Sequence, residues 1–134
     1  MQKNNLKLNL GCGQRKIDGF IGVDNNPNVT AEIVHDLNKF PYPFADNSVD
    51  EIIMDHVFKH LNDPIKVIIE SYRISKDDAK IKIKTPHFSC NWLHPGHKSA
   101  ISIMLFDYFN PEANDYWGEC NFKILKVKVI KPKK

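Results

Sequence analysis

No apolar run in this chain approaches the roughly 20 residues that a membrane-spanning helix needs, so no membrane association is expected. Cysteine is scarce: Cys12, Cys90 and Cys120 are the only three in 134 residues. An odd, small number reads as free thiols in a reducing, cytoplasmic setting, not as a disulfide framework. The opening Met1-Gln2-Lys3-Asn4-Asn5 runs straight into a strand-like stretch and shows no secretory leader pattern. Internal repeats, low-complexity tracts and linker segments are all missing, so a single domain over 1–134 is expected. What remains is ordinary globular composition, 42% hydrophobic and 26% charged, enough for a core without disulfides.

Acid is missing from one place. The last twelve residues, Lys123 to Lys134, hold six lysines and no carboxylate. The formal charge is +3, which leaves residues 1–122 at −3. A nucleic-acid footprint needs a basic stripe across the fold. A lysine-rich end reads better as solubilising charge on a terminal edge strand, and nucleic acid is not an expected partner.

Room for helices is also lacking early in the chain. Leu6, Leu8 and Leu10 alternate with Lys7 and Asn9, a strand with one wetted face. Short apolar runs at Phe20–Val23 and Ala31–Val34 give two more strands, and Val49–Met54 a fourth. Only nine residues, 11–19, separate the first pair, and six or seven the second. A parallel crossover usually takes a dozen or more. The helical period begins later. Ile65, Ile68, Ile69 and Tyr72 share one face, behind Asp63 as N-cap and Pro64 as first helical residue, which predicts a helix over 63–75. Lys76-Asp77-Asp78 reads as a turn. Lys80, Lys82 and Lys84 alternate with Ile81 and Ile83 in a fifth strand. A second helix is expected at 99–109 and a sixth strand at Phe122–Ile130. The expected fold is therefore α/β, a Rossmann-like, mainly parallel sheet of about six strands. It is a reduced one: helices lie mostly on one face, and the early helices and closing strand are short or missing. Lys7, Asn9, Lys80, Lys82 and Lys84 would line the wetter face, or a partner copy would cover it.

The chemistry concentrates in Leu8-Asn9-Leu10-Gly11-Cys12-Gly13 and in Gly22-Val23-Asp24. A glycine turn at the end of a first strand lets backbone approach a ligand closely. In an open α/β sheet the crevice beyond the strand ends is the binding place. An acid closing the second strand can accept two ribose hydroxyl hydrogen bonds. A dinucleotide fingerprint needs glycine at 16, where Lys16 stands, so a nucleoside without phosphates fits better. Taken alone, a Gly-x-Gly is most simply a tight turn.

Further phrases follow in order. They are Asp36-Leu37, Pro41-Tyr42-Pro43-Phe44, Phe44-Ala45-Asp46-Asn47-Ser48-Val49-Asp50-Glu51-Ile52, His56-Val57-Phe58-Lys59-His60-Leu61 and Tyr72-Arg73-Ile74-Ser75-Lys76. Pro86-His87-Phe88-Ser89, Pro95-Gly96-His97-Lys98 and Phe106-Asp107-Tyr108-Phe109 complete the series. Over residues 6–130 it resembles the class I S-adenosylmethionine-dependent methyltransferases, in particular the small methyltransferase-11-like branch. The resemblance implies S-adenosyl-L-methionine as cofactor, S-adenosyl-L-homocysteine as product, and a small-molecule or sugar-like methyl acceptor. It implies cofactor contacts from Asn9, Gly11, Cys12, Gly13, Asp24, Asp36, Leu37 and Asp55, with Asp24 at the ribose and Asp36 beside the adenine. This chain departs from the family pattern with Asn9 for an acid, Arg15 for a common third glycine, Lys59 for Glu, Asp77-Asp78-Ala79 for a Pro-Gly-Gly turn and His94 for Asp. A catalytically degenerate binding module of the same fold is the alternative those departures motivate.

An acceptor that must lose a proton calls for a base, and His56, His87 and His97 are the candidates, since imidazole titrates near neutral pH. For each, a structural hydrogen-bonding role competes; His35 and His60 are assigned to that role. Cys90, His94 and His97, with His87 nearby, raise a metal-binding alternative. Their spacing fits no common zinc arrangement, and no metal is expected. Trp92 and Trp117 could flank an acceptor pocket, although aromatics near a helix end are more often core.

Overall fold

The computed structural model describes residues 5–29, 31–57 and 60–84. Five strands, β1 (Lys7–Leu10), β2 (Ile21–Asp24), β3 (Ile33–Val34), β4 (Val49–Asp55) and β5 (Ser75–Lys84), and one helix, α1 (Pro64–Ile74), make up its regular structure. All the pairings are parallel, in the order β3-β2-β1-β4-β5. The expected sixth strand at 122–130 and helix at 99–109 lie outside the described residues. So do His87, His94, His97, Cys90, Cys120, Trp92 and Trp117.

The two-residue period sorts the sheet into unlike faces. Register pairs Leu8 with Ile21 and Ile52, and Leu10 with Val23. Ile52 and Met54 in turn pair with Ile81 and Ile83. These residues share one face, and α1 covers it. Leu8, Leu10, Val23, Ile52 and Met54 form a single core cluster with Val67, Ile68 and Ile74 of the helix. Each fully buried aliphatic side chain contributes roughly 1.5–3 kcal/mol there. The helix starts as its sequence dictates: Asp63 accepts from the Lys66 amide at 3.1 Å, and Pro64 takes the position where a missing N–H costs nothing.

The other face is charged, with Lys80, Lys82 and Lys84 exposed and Lys7 beside Glu51 at 3.8 Å. Asn9 departs from the expectation of a wet position. It is 3% exposed, because the helix-free loop 11–20 folds back over it and the Arg15 carbonyl accepts from its Nδ2 at 3.4 Å. A second departure concerns Lys76-Asp77-Asp78. These residues turn the chain inside β5, not before it: pairing runs Val49 with Ser75 and then Glu51 with Lys80, so β5 carries three extra residues, with Asp78 at φ 65°. Helix and strand are thus joined at Ser75 without a loop.

Candidate functional site at the strand ends

The strand order reverses direction between β1 and β4, which makes the space beyond their carboxyl ends the switch point where ligands bind in such sheets. The Gly11 and Cys12 amides both donate to the Val23 carbonyl, at 2.7 and 3.2 Å, so the turn after β1 leans onto β2. Gly11 sits at φ 70°, and a Cβ there would lie 2.1 Å from Val57 Cγ2. No side chain fits. The turn after β1 and the segment after β4 therefore close on each other, backbone against valine.

Gly13, at φ 54°, donates its amide to Asp24 Oδ2 at 2.8 Å, and the Asn26 amide donates to Oδ1 at 3.0 Å. Asp24 thereby ties the glycine turn to the end of β2, and each carboxylate oxygen keeps acceptor capacity for another donor. The His35 amide donates to the Asp24 carbonyl at 2.9 Å, which sets Asp36 just beyond β3. Asp36 Oδ1 accepts from the Asn38 amide at 2.9 Å; Leu37 is buried and its carbonyl accepts from the Tyr42 hydroxyl at 2.8 Å. Burial, then the neighbouring Asp24 charge, pushes the Cys12 thiol up.

Asp55 closes β4. Its Oδ2 pairs with Arg15 Nη1, and its Oδ1 is buried with no hydrogen-bond partner among the described residues; His56 Nε2 lies 3.6 Å from that atom. His56 takes a left-handed conformation at φ 58°, with its amide donating to the Lys84 carbonyl at 2.7 Å. Gly11, Cys12, Gly13, Asp24, Asp55 and His56 are therefore brought together. Asp36 and Leu37 stand one strand further out, and Asn9 lies beneath the loop. His35 pairs its Nε2 with the Lys39 carbonyl at 3.0 Å and meets Tyr42 edge-on, a structural arrangement. His87 and His97 lie outside the described residues.

Sequence reasoning did not anticipate the Arg15–Asp55 contact. The partners are 40 residues apart, and no spacing rule joins them. Nor did it foresee Glu32, whose carboxylate accepts from the Gly22 amide at 2.7 Å and is thereby held below its usual range. A cavity of about 230 Å³ under loop 11–20 is lined by Asn9, Cys12, Arg15, Lys16, Phe20 and Glu32 among others, and does not include Gly11, Gly13 or Asp24. It adjoins the crevice at the strand ends, since Cys12 and Arg15 border both. Among the described residues no group of His, Cys, Asp and Glu could hold a metal, and no helix is long and apolar enough to cross a membrane.

A family model described as a methyltransferase domain, type 11, matches residues 8–83, more than half of the chain. The chain belongs to that family. No curated protein is similar enough to count as a match. The fold is shared with the YcgJ protein of Bacillus subtilis, at TM-score 0.62 and 19% identity over 76% of this chain and 58% of that one. It is shared too with a SAM-dependent methyltransferase of Archaeoglobus fulgidus, at TM-score 0.63 and 21% identity over 78% and 57%. A third is the complex of the Haloferax volcanii Trm112 methyltransferase activator with a putative methyltransferase, at TM-score 0.53 and 21% identity over 68% and 51%. The chain thus spans between half and three fifths of the length of these structures. The cofactor that this family implies is S-adenosylmethionine. The residues present fit it. Open space where a Cβ of Gly13 would lie, a carboxylate with acceptor capacity to spare and a buried carboxylate oxygen with no donor among the described residues suit a molecule of hydroxyls and cationic groups.

Proposed function

We propose that this chain binds S-adenosylmethionine at the strand ends and transfers its methyl group to a small-molecule or sugar-like acceptor. The supporting observation is the meeting of the Gly11–Gly13 turn, Asp24 and Asp55 at the β1/β4 switch point. Bound there, the cofactor supplies an electrophilic methyl group on a sulfonium. Asp24 accepts from the ribose hydroxyls while its amide bonds hold it rigid, and Gly13, with open space where a Cβ would lie, lets backbone approach the methionine half. Asn9 supports that turn from below. Asp36 and Leu37 border the adenine side. His56, about half exposed beside Asp55, holds at Nε2 the proton that a hydroxyl or amine acceptor gives up; His87 and His97 are further candidates for that task. Orientation in a shaped crevice carries most of the rate.

Titration calorimetry tests the reading. The folded chain binds S-adenosylmethionine and S-adenosylhomocysteine, and Asp24→Ala weakens both at least about tenfold, the loss of one to two charge-assisted hydrogen bonds. Absence of binding to folded protein sinks it. The Arg15–Asp55 pair, which takes up part of the crevice, favours a second reading, a binding module without turnover. Binding of both ligands with no labelled methyl transferred to any acceptor in a broad screen selects that one. Among the described residues the helical cover lies on one face of the sheet, which supports a homodimer, and the free buried Cys12 suits a cytoplasmic setting.

A further inference from the structure

Arg15 reaches across the switch point, from the loop after β1 to the end of β4. Its Nη1 meets Asp55 Oδ2, although the guanidinium side chain is 64% exposed. The backbone beneath it is fixed at two points: the Arg15 amide donates to the Cys12 carbonyl at 3.0 Å, and its carbonyl accepts from Asn9 Nδ2 at 3.4 Å. The loop that carries the cation is therefore held at the crevice, and the ion pair sets its charge beside Asp55. It cancels much of the attraction that Asp55 alone would exert on a positive ligand.

We infer that Arg15 is a specificity-determining residue that biases the crevice away from the sulfonium cofactor and toward its neutral thioether product. The inference rests on the cofactor reading above. The two ligands have nearly the same shape, but S-adenosylmethionine carries one positive charge more than S-adenosylhomocysteine. A guanidinium paired with Asp55 removes attraction for the first and is almost indifferent to the second. At the effective dielectric of a half-exposed site, one such unit-charge interaction changes the ratio of the two affinities roughly three- to tenfold.

The test is calorimetry of the full chain with both ligands, comparing wild type with Arg15→Gln, Arg15→Lys and Asp55→Asn. Arg15→Gln shifts the affinity ratio three- to tenfold toward S-adenosylmethionine, whereas Arg15→Lys, which keeps the charge, leaves it near the wild-type value. Asp55→Asn leaves the guanidinium uncompensated and shifts the ratio the other way, so the inference stays testable if one variant fails to fold. The shifts shrink between about 0.1 M and about 1 M salt, as the screening length falls from about 10 Å to about 3 Å. A ratio indifferent to Arg15→Gln and Asp55→Asn, with both ligands still bound, overturns the inference alone. Folded wild-type protein that binds neither ligand overturns the cofactor reading with it.

Discussion

At the scale of the residue, Gly11 shows how one position can carry a site. Its φ of 70° favours glycine, and the space where a Cβ would go is already filled by Val57. Gly11→Ala is therefore expected to destabilise the fold by about 1–3 kcal/mol, combining left-handed strain with a forced shift of Val57. Urea unfolding measures it, and an unchanged midpoint would mean that the turn relaxes freely. Gly13 is different. It too has positive φ, but none of the described residues lies within 4 Å of a Cβ there, so substitution strains backbone without a clash among them. The two glycines of one short motif thus answer to separate causes, close approach at Gly11 and conformation alone at Gly13.

At the scale of the element, α1 does more than cover the sheet. Glu70 is buried, accepts from the Tyr42 amide at 2.5 Å, and holds Arg73 at 2.6 and 2.9 Å; Arg73 reaches on to Asp46 at 2.5 Å and the Tyr42 carbonyl at 3.2 Å. The helix thereby pins the loop that feeds β4. Burial pushes the Glu70 carboxyl up, but the Arg73 hydrogen bonds and the Tyr42 amide outweigh it and hold the group below its ordinary range. A depressed folded-state value means that this contribution is complete above the unfolded-state value and is lost as pH falls through the folded one. The denaturation midpoint is expected to drop as pH falls from about 6 to about 3, as protons compete for the carboxylate. Glu70→Gln lowers the unfolding free energy at the upper pH by about 1–3 kcal/mol and flattens the acid limb. Equal acid limbs in the two proteins would assign the pH response elsewhere.

At the scale of the whole molecule, the five parallel strands and one helix among the described residues present a switch-point crevice, built from the strand ends and the two segments that leave them. A ligand bound there stabilises the folded state by mass action, about 2.7 kcal/mol at one hundred times its dissociation constant. Thermal unfolding with S-adenosylhomocysteine is expected to show that gain in wild type and to lose most of it in Asp24→Ala. A gain preserved in Asp24→Ala would place the ligand elsewhere, with the cavity beneath loop 11–20 the first location to examine.

Periodicity alone determined much of this molecule. Strand faces follow from a two-residue alternation that buries Leu8 and Leu10 together, and α1 follows from its apolar spacing and the Asp63-Pro64 start. The glycine turn and Asp24 were legible because each ends a strand, and in a parallel sheet strand ends gather on one side. Tertiary structure alone decided the rest. The irregularity at 76–79 depends on register against β4, and the burial of Asn9 on where a helix-free loop comes to lie. The Glu70–Arg73 hold on Tyr42 and Asp46 joins segments far apart in the chain. The Arg15–Asp55 pair was beyond reach for the same reason. Sequence patterns report local backbone geometry and the face a side chain takes, whereas a contact across 40 residues exists only once the sheet has set two strand ends side by side.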